Sequence, residues 1–463
     1  MLRPPFLNGI ESKRGLYFEV PKRGLPGVLP NSLIEIVKGV FGLSNSPRLW
    51  WDKLAKELCN LKIMVNGVEL RLSHHEYDPC FLPLRDPQGQ LRGALITHVD
   101  DLLVAAPPAE MAQLQQALSK IFPISEWESG TFDYTGATIK QSEGGIELHQ
   151  TSYVKARLET VEMPKDVAPS SQADQVTAQD NMSTIGALSW LASQTRPDLQ
   201  AGVSLSQRKQ RSPTYEDVKL TNRLVKMAQM GKDEPLKFVK LADNFDDLML
   251  MVYHDAAWAN APMDLDLDDH EDVIASEGQG VYSQLGHLLV VTSRQALGAK
   301  DCPMAIVGWK SHACPRVCRS TFAAETMAGL EGWEEALAFR SFVAGVLSPD
   351  PAKAQEAEAR KLFPIVSMTD CKSLYDSVHR LGGPKAPSEK RLVVDITALR
   401  KMVNEEAQWW GSRIIGGKTL RWVPTGSQMA DILTKVIFDV RSWWGNIRSS
   451  SLPFPIGQAQ NRI

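Results

Sequence analysis

Two apolar runs of strand length, each ending in an aspartate, most strongly constrain how this chain can fold. LMLMVYHD ends at Asp255 and PIVSMTD ends at Asp370. Between them, an alanine-rich stretch with Ser320 or Thr321 as its N-cap predicts a long helix. Strands that alternate with helices predict an α/β domain over residues 246–438. Carboxylates at the strand ends of such a sheet can converge on one crevice.

The N-terminal part, residues 1–122, combines helical spacing with a predicted hairpin. SPRLWWDKLAKELCNL and PPAEMAQLQQALSKIF predict two helices, the second with proline in its first turn. GALITHVDDLLVAA is two apolar runs joined at Asp100 and Asp101. Adjacent carboxylates repel each other unless a cation neutralises them, which makes the pair a candidate metal site. An exposed turn is the alternative, because Asp favours turns.

The rest of the chain carries weaker signals. The polar stretch 163–182 predicts a linker, and helical patterns follow at 183–194 and 214–230. An acidic insert at 263–272 predicts a solvated loop, and residues 439–463 form a tail. These patterns together predict a multidomain protein of α/β and α+β class.

Composition excludes several classes of protein. Lys and Arg number 51 against 54 Asp and Glu, so nucleic acid can bind only through local basic patches. Six scattered cysteines argue against a secreted disulfide scaffold. With no apolar run of signal-peptide or membrane-spanning length, we expect an intracellular protein of the cytoplasm or nucleus with no membrane contact.

Five short strings occur in order along the first 200 residues. They are FLNG at 6–9, FGLSNSPRLW at 41–50, YDPCFL at 77–82, HVDDLL at 98–103 and LSWLASQTRPDL at 188–199. In this order they resemble the reverse transcriptase of Ty1/copia-type LTR retrotransposons, whose segments read FLNG, YGLKQAPRxW, SDPCxF, YVDDLL and LxYLxxTRPDI. The resemblance implies a partial palm over 1–122 and a thumb or connection region over 123–240. It also implies catalytic, metal-holding roles for Asp100 and Asp101 and a nucleic-acid contact for Arg48.

Two departures from that family bear on polymerase activity. The tyrosine of the YxDD box is His98 here, and the family's first catalytic carboxylate lies a few residues before FLNG, where this chain has Met1. A polymerase with two metals needs that carboxylate to hold them. We therefore expect a chain that is truncated at its N-terminus, without the fingers subdomain, and that does not polymerise DNA.

Four strings in the C-terminal half carry a second resemblance. They are YHDAAWA at 253–259, VCRSTFAAETMAGLEG at 317–332, MTDCKSLYDSV at 368–378 and VPTGSQMADILTKV at 423–436. They resemble YSDADWA, VARSSTEAEYxALAEA, DNQSAIxL and VPTxxQLADIFTK of the Ty1/copia ribonuclease H domain. The resemblance implies catalytic and metal-holding roles for Asp255, Glu325, Asp370 and Asp431, with Asp431 the most peripheral.

The chemistry that this resemblance implies is cleavage of the RNA strand of RNA–DNA hybrids. Four carboxylates would hold two Mg²⁺ ions, with Mn²⁺ as an alternative, because Mg²⁺ prefers oxygen ligands. The partners would be RNA, DNA and their hybrid, distinguished through the 2′-OH and the minor groove. Lys310, His312, Arg316 and Arg319 lie in one basic run that can contact phosphates, although a solvated loop explains them equally well.

Other residue patterns in the chain point to alternative functions. Cys302, His312, Cys314 and Cys318 have loose spacing for zinc, so free cysteines are favoured. Asp376 and His379 have no serine or cysteine elbow beside them, which leaves a hydrolytic triad unsupported. The alternatives to a nuclease are a non-catalytic nucleic-acid-binding remnant of a retroelement and a domesticated interaction protein.

Overall fold

The computed structural model describes residues 15–29, 31–40, 42–258, 282–298, 302–382 and 389–449. The FLNG string, Phe41, the acidic insert at 263–272 and residues 450–463 of the predicted tail lie outside the described residues. The first part of the predicted tail at 439–463 is not a tail, because Arg441–Ser449 form a helix whose Trp443, Trp444 and Ile447 are buried in a core cluster. The chain divides into two compact units, residues 1–129 with 341–359, and residues 130–340 with 360–463. The protein is of mixed α/β type, and the predicted palm and thumb identities stay predictions.

The first unit is built on a five-stranded antiparallel sheet in the order β3-β4-β5-β6-β7. A separate pair, β1 with β2, is antiparallel as well. Its elements in chain order are β1 (Tyr17–Glu19), β2 (Leu33–Glu35), α1 (Ser46–Asn60), β3 (Lys62–Val65), β4 (Val68–Leu72), β5 (Phe81–Arg85), β6 (Leu91–His98), β7 (Asp101–Ala105) and α2 (Pro108–Ile121).

The core of the first unit confirms the two helices predicted from apolar spacing. Trp50, Leu54 and Leu58 project from α1 into a buried cluster with Leu114 and Leu118 of α2. Residues four apart lie on the same face of a helix, so one face of each helix supplies the apolar contacts to the sheet. The two apolar runs around the paired aspartates form the predicted hairpin, β6 with β7.

The second unit contains two sheets and most of the helices. The elements that follow residue 130 in chain order are β8 (Thr131–Tyr134), β9 (Ala137–Ser142), β10 (Gly145–His149), α3 (Thr151–Arg157), α4 (Gln175–Gln194), α5 (Gln200–Lys209), α6 (Tyr215–Met230), β11 (Leu236–Phe238), β12 (Leu248–Ala257), β13 (Gln284–Ser293), β14 (Met304–Ala313), α7 (Thr321–Leu347), α8 (Pro351–Ala354), α9 (Glu356–Ala359), β15 (Ile365–Thr369), α10 (Lys372–His379), α11 (Lys390–Trp410), β16 (Leu420–Trp422) and α12 (Arg441–Ser449). Of these elements, α8 and α9 belong to the first unit.

The larger sheet of this unit is mixed, in the order β14-β13-β12-β15-β16. The first three strands are antiparallel neighbours, whereas β15 runs parallel to both β12 and β16. Nearly every residue of β12 and β13 is buried, as expected for strands covered on both faces. The smaller sheet is antiparallel, in the order β11-β10-β9-β8.

Buried polar contacts join the helices α4 and α5 to the larger sheet. The side chain of Gln284, at the start of β13, donates to the hydroxyls of Ser204 and Ser311, and its carbonyl oxygen accepts from Arg208. Trp309 of β14 donates its indole N–H to the carbonyl oxygen of Ala192, 2.9 Å away. Since a buried polar group without a partner is costly, these contacts fix the helices on the sheet.

Two predicted segments differ in the structure. The linker at 163–182 is wrong in its second half, because α4 begins at Gln175, where Asp174 accepts hydrogen bonds from the backbone N–H groups of Val176 and Thr177. The segment SQMADILTKV, whose pattern predicts the start of a last helix in the α/β domain, instead forms a short 3₁₀ turn over Met429–Leu433. That turn is held at its start by Gln428, whose side chain donates to the carbonyl oxygen of His254 in β12.

No helix among the described residues is long and apolar enough to cross a membrane.

A buried ion pair ties α7 to α11. Arg340 forms two hydrogen bonds with the carboxylate of Glu406, at 2.6 and 3.0 Å, and both side chains are at least 98% buried. The same carboxylate accepts the backbone N–H of Ile365, the first residue of β15. Removing one partner of such a pair leaves an uncompensated buried charge.

We expect Glu406→Gln to lower the free energy of unfolding of the second unit by about 3 kcal/mol, because Arg340 keeps its charge without a carboxylate. Urea or thermal unfolding measures the loss. Glu405→Gln is the matched control, since its more exposed carboxylate pairs with Arg360 and Lys401, and it should cost less than about 1 kcal/mol. Equal losses of unfolding free energy in the two variants would contradict the role of Glu406 as the partner of a buried charge.

Candidate metal centre

Parallel pairing of β12 with β15 brings two aspartates to the same edge of the sheet. Leu250 pairs with Ile365 and Tyr253 with Met368, a constant offset of 115 (365−250). The same offset aligns Asp255 with Asp370, which follows the last residue of β15. Parallel neighbours with this register present both side chains at the carboxyl end of the sheet, where ligands bind in α/β folds. The predicted strand-end carboxylates are therefore neighbours.

The third carboxylate comes from the beginning of α7. Ser320 caps this helix, as its hydroxyl accepts the backbone N–H of Ala323. Glu325 is buried one turn further on, and its carboxylate accepts a hydrogen bond from the backbone N–H of Ala256, next to Asp255. This contact places the start of α7 against the end of β12.

One carboxylate oxygen from each of Asp255, Glu325 and Asp370 lies within 4.8 Å of those of the other two. In the described ranges this is the one group of three or more acidic, histidine or cysteine side chains that come so close. Glu325 is 96% buried, and its Oε2 atom has no hydrogen-bond partner among the described residues. A buried carboxylate with an oxygen that lacks a hydrogen-bond partner, grouped with two other carboxylates, suits a hard divalent cation.

The electrostatics of the group follow from its burial. Burial, together with the charges of Asp255 and Asp370, raises the pKa of Glu325 to about 9. Burial also raises the pKa of Asp255, although Lys435 and a hydrogen bond from Thr434 oppose that rise. Without a cation the site therefore favours protonated carboxyl groups, and a bound cation reverses that preference.

Asp431, the fourth predicted carboxylate, lies outside this group of three. Its Oδ1 atom pairs with the Lys435 ammonium at 2.8 Å, and the same ammonium lies 3.8 Å from Oδ2 of Asp255. The hydroxyl of Thr434 also donates to that Asp255 oxygen. Sequence reasoning missed Thr434 and Lys435, although the spacing of four residues between Asp431 and Lys435 was a signal for an ion pair.

The paired aspartates of the first unit lie at the β6–β7 turn. Val99 and Asp100 form the turn, Asp101 is the first residue of β7, and the backbone of Val99 has a φ of 54°. Trp50 donates its indole N–H to the carbonyl oxygen of Val99, 2.7 Å away. Burial and the neighbouring Asp100 raise the pKa of Asp101. Among the described residues, Asp100 and Asp101 belong to no group of three metal-ligating side chains.

The four predicted phosphate-binding cations lie in different settings. Lys310 belongs to strand β14 rather than to a loop, and pairs with Glu335 at 3.7 Å. Arg316 pairs with Asp395 at 2.9 Å, and Arg48 in the first unit pairs with Asp52 at 2.8 Å. Arg319 is exposed in the loop before α7. Their contact with nucleic acid stays a prediction.

All six cysteines are free thiols. Cys314 and Cys318 face each other with 3.6 Å between their sulfur atoms, and Cys302 is buried. The Nε2–H group of His312 donates to the carboxylate of Glu331 at 2.7 Å.

Comparison with known proteins finds relatives among transposon proteins. The chain is 24% identical over 285 residues to the retrovirus-related Pol polyprotein from transposon RE1 of Arabidopsis thaliana, and 25% identical over 271 residues to that from transposon RE2. These matches cover 59% and 56% of this chain but only 18% and 17% of the relatives. It is 25% identical over 243 residues to a transposon Ty5-1 protein of Saccharomyces cerevisiae, covering 49% of this chain and 73% of that protein.

No protein-family model matches the chain. Among solved structures, the N-terminal RNase H domain of Rv2228c from Mycobacterium tuberculosis, fused to maltose-binding protein, matches 43% of this chain and 99% of that chain at 14% identity. The TM-score of this match is 0.22.

We expect the contribution of Glu325 to the stability of the metal-free protein to be lost as the pH rises from about 4.5 to about 9. A carboxyl group whose folded-state pKa is raised stabilises the fold below its unfolded pKa, and this contribution is lost as the pH rises through the folded value. Glu325→Gln removes this titration, so the slope of its stability against pH should be more positive than that of the wild type over this range, by up to about 1.4 kcal/mol per pH unit.

Thermal stability is measured as a function of pH in a chelating buffer. The slopes of stability against pH are compared, rather than the absolute stabilities. Glu335→Gln, a half-exposed residue on the same helix, is the control and should follow the wild type. Parallel curves for Glu325→Gln and the wild type would show that Glu325 does not titrate in the folded state.

Proposed function

Because this chain is related to Ty1/copia-type retrotransposon Pol polyproteins, we propose that it is a Pol fragment whose second unit cleaves the RNA strand of RNA–DNA hybrids with a divalent metal. The observation that carries the proposal is the approach of Asp255, Glu325 and Asp370 to within 4.8 Å at the carboxyl end of a mixed sheet. These three residues come from strings that resemble the ribonuclease H segments of the same family.

The donor set suits Mg²⁺, with Mn²⁺ as an alternative. All three candidate ligands are carboxylate oxygens, which hard cations prefer and which zinc or copper sites seldom use alone. Asp255, Glu325 and Asp370 would hold the ion, and the orphaned Oε2 of Glu325 would gain a partner. When bound, a divalent ion supplies Lewis acidity toward the phosphodiester and its attacking water.

The remaining roles belong to the protein's own side chains. Burial of Asp255 and Glu325 limits competing water around their oxygens and strengthens the local field. Arg319, exposed in the loop before α7, is the best placed of the predicted cations to meet a phosphate. Lys310 and Arg316 would have to exchange acidic partners for phosphate. Selection of a hybrid would depend on the 2′-OH groups and the shape of the minor groove.

The full chain should cut the RNA strand of a labelled RNA–DNA hybrid in Mg²⁺, and Asp370→Asn should reduce the rate at least about 100-fold, because it removes a direct metal ligand. Asp376→Asn is the matched control. It lies on the helix that follows Asp370, is exposed and pairs with Lys372, so its rate should be unchanged.

Equal cleavage by the wild type and Asp370→Asn would identify a contaminating nuclease. Hybrid binding without cleavage would favour the non-catalytic remnant, and neither binding nor cleavage would favour the interaction protein. A double-stranded DNA substrate of the same sequence checks that the RNA strand is required.

For the first unit, we propose that this chain does not polymerise DNA. Two features support the proposal: His98 stands where the family's YxDD box has tyrosine, and Asp100 and Asp101 have no third ligating carboxylate nearby among the described residues. Two carboxylates in adjacent positions give a metal pair too few protein ligands.

Primer extension on an RNA template should therefore be at background for the wild type and equal to that of an Asp100→Asn, Asp101→Asn double variant. The assay needs a retroviral reverse transcriptase as a positive control. Extension by the wild type that the double variant abolishes would overturn the proposal.

A further inference from the structure

The ammonium of Lys435 lies near Asp431 and Asp255, at the side of the three-carboxylate group. Its Nζ atom is 2.8 Å from Asp431 and 3.8 Å from Asp255, and the side chain is about half exposed. An ion pair at a protein surface is commonplace, but this one shares an aspartate with the candidate metal centre. The position of the ammonium therefore bears on how many cations the site takes.

Asp255 connects two sides of the site. It contributes an oxygen to the group with Glu325 and Asp370, and its Oδ2 atom accepts from the Thr434 hydroxyl and faces Lys435. Asp431 contributes only to the second side. One side is thus a three-carboxylate pocket, and the other is a pair of carboxylates that already has a cation.

The backbone around Lys435 is fixed by contacts to β12. Gln428 donates to the carbonyl oxygen of His254 at 3.0 Å and caps the 3₁₀ turn Met429–Leu433 by accepting from Ala430. At the other end of the turn, Thr434 is bonded to Asp255. Because both ends are anchored, the Lys435 side chain projects from a defined position four residues after Asp431.

We propose that the Lys435 ammonium takes the place of a second divalent cation, so that the site binds one divalent ion instead of two. The inference rests on the proposed metal-dependent function. A divalent ion bound by both Asp255 and Asp431 would have to displace the ammonium, which already pairs with Oδ1 of Asp431 and faces Oδ2 of Asp255. A single ion between Asp255, Glu325 and Asp370 needs no such displacement.

The test is the number of Mn²⁺ ions that the full chain binds, measured by electron paramagnetic resonance of free Mn²⁺ and by calorimetry at constant pH. We expect one ion for the wild type and two for Lys435→Met. Lys435→Arg, which keeps the charge, should bind one. Lys435→Gln, a polar neutral variant, should bind two, and it serves if the methionine variant does not fold.

Two control variants test whether the change in stoichiometry is specific to Lys435. Lys401→Met removes an exposed lysine that pairs with Glu405 on α11, and it should leave the stoichiometry at one. Asp370→Asn should weaken binding of the single ion, which shows that the ion counted occupies the three-carboxylate pocket. Circular dichroism checks that each variant is folded.

The outcomes separate this inference from the function on which it rests. Two ions in the wild type, or one ion in both neutral variants, would overturn the role of Lys435 while leaving metal-dependent cleavage intact. No Mn²⁺ bound by any form would overturn the metal centre itself and this inference with it. A change in thermal stability of Lys435→Met with unchanged stoichiometry would make the lysine a structural ion pair only.

Discussion

The in-register parallel pairing of β12 with β15 is the constraint on which the rest of the site depends. It sets Asp255 beside Asp370, and α7 can then bring Glu325 to the same edge. A slip of one residue would turn one of the aspartates to the opposite face, because side chains alternate along a strand. Two features hold that register. The residues of β12 are buried almost throughout, and the carboxylate of Glu406 accepts the backbone N–H of Ile365 at the start of β15.

Gathering like charges at this edge costs stability, and the structure shows how that cost is reduced. Burial raises the pKa values of Asp255 and Glu325, so protonation relieves part of the repulsion. Thr434 and Lys435 relieve more by donating to Asp255 and pairing with it. The pKa of Lys435 is raised in turn. Burial opposes the charge of its ammonium, but the surrounding carboxylates outweigh that effect. Acidic groups with shifted pKa values are typical of functional sites.

Local sequence patterns were sufficient for much of the secondary structure. Apolar spacing predicted α1 and α2, the paired aspartates marked the β6–β7 hairpin, and the N-cap at Ser320 located the start of α7. The patterns failed where tertiary contacts compensate for a polar sequence. The first turns of α4 are polar and exposed yet helical because Asp174 caps them, and β14 carries Lys310 within a run that suggested a loop.

The sequence by itself determined which residue types are present and, through family resemblance, which four acids were candidates for one site. Only the tertiary structure decided that Asp255, Glu325 and Asp370 meet, while Asp431 is paired with Lys435 outside their group. The physical reason is distance along the chain. Helix and strand patterns depend on neighbours a few residues apart, whereas these carboxylates are 45 or more residues apart, and their separation depends on sheet register and on how α7 packs.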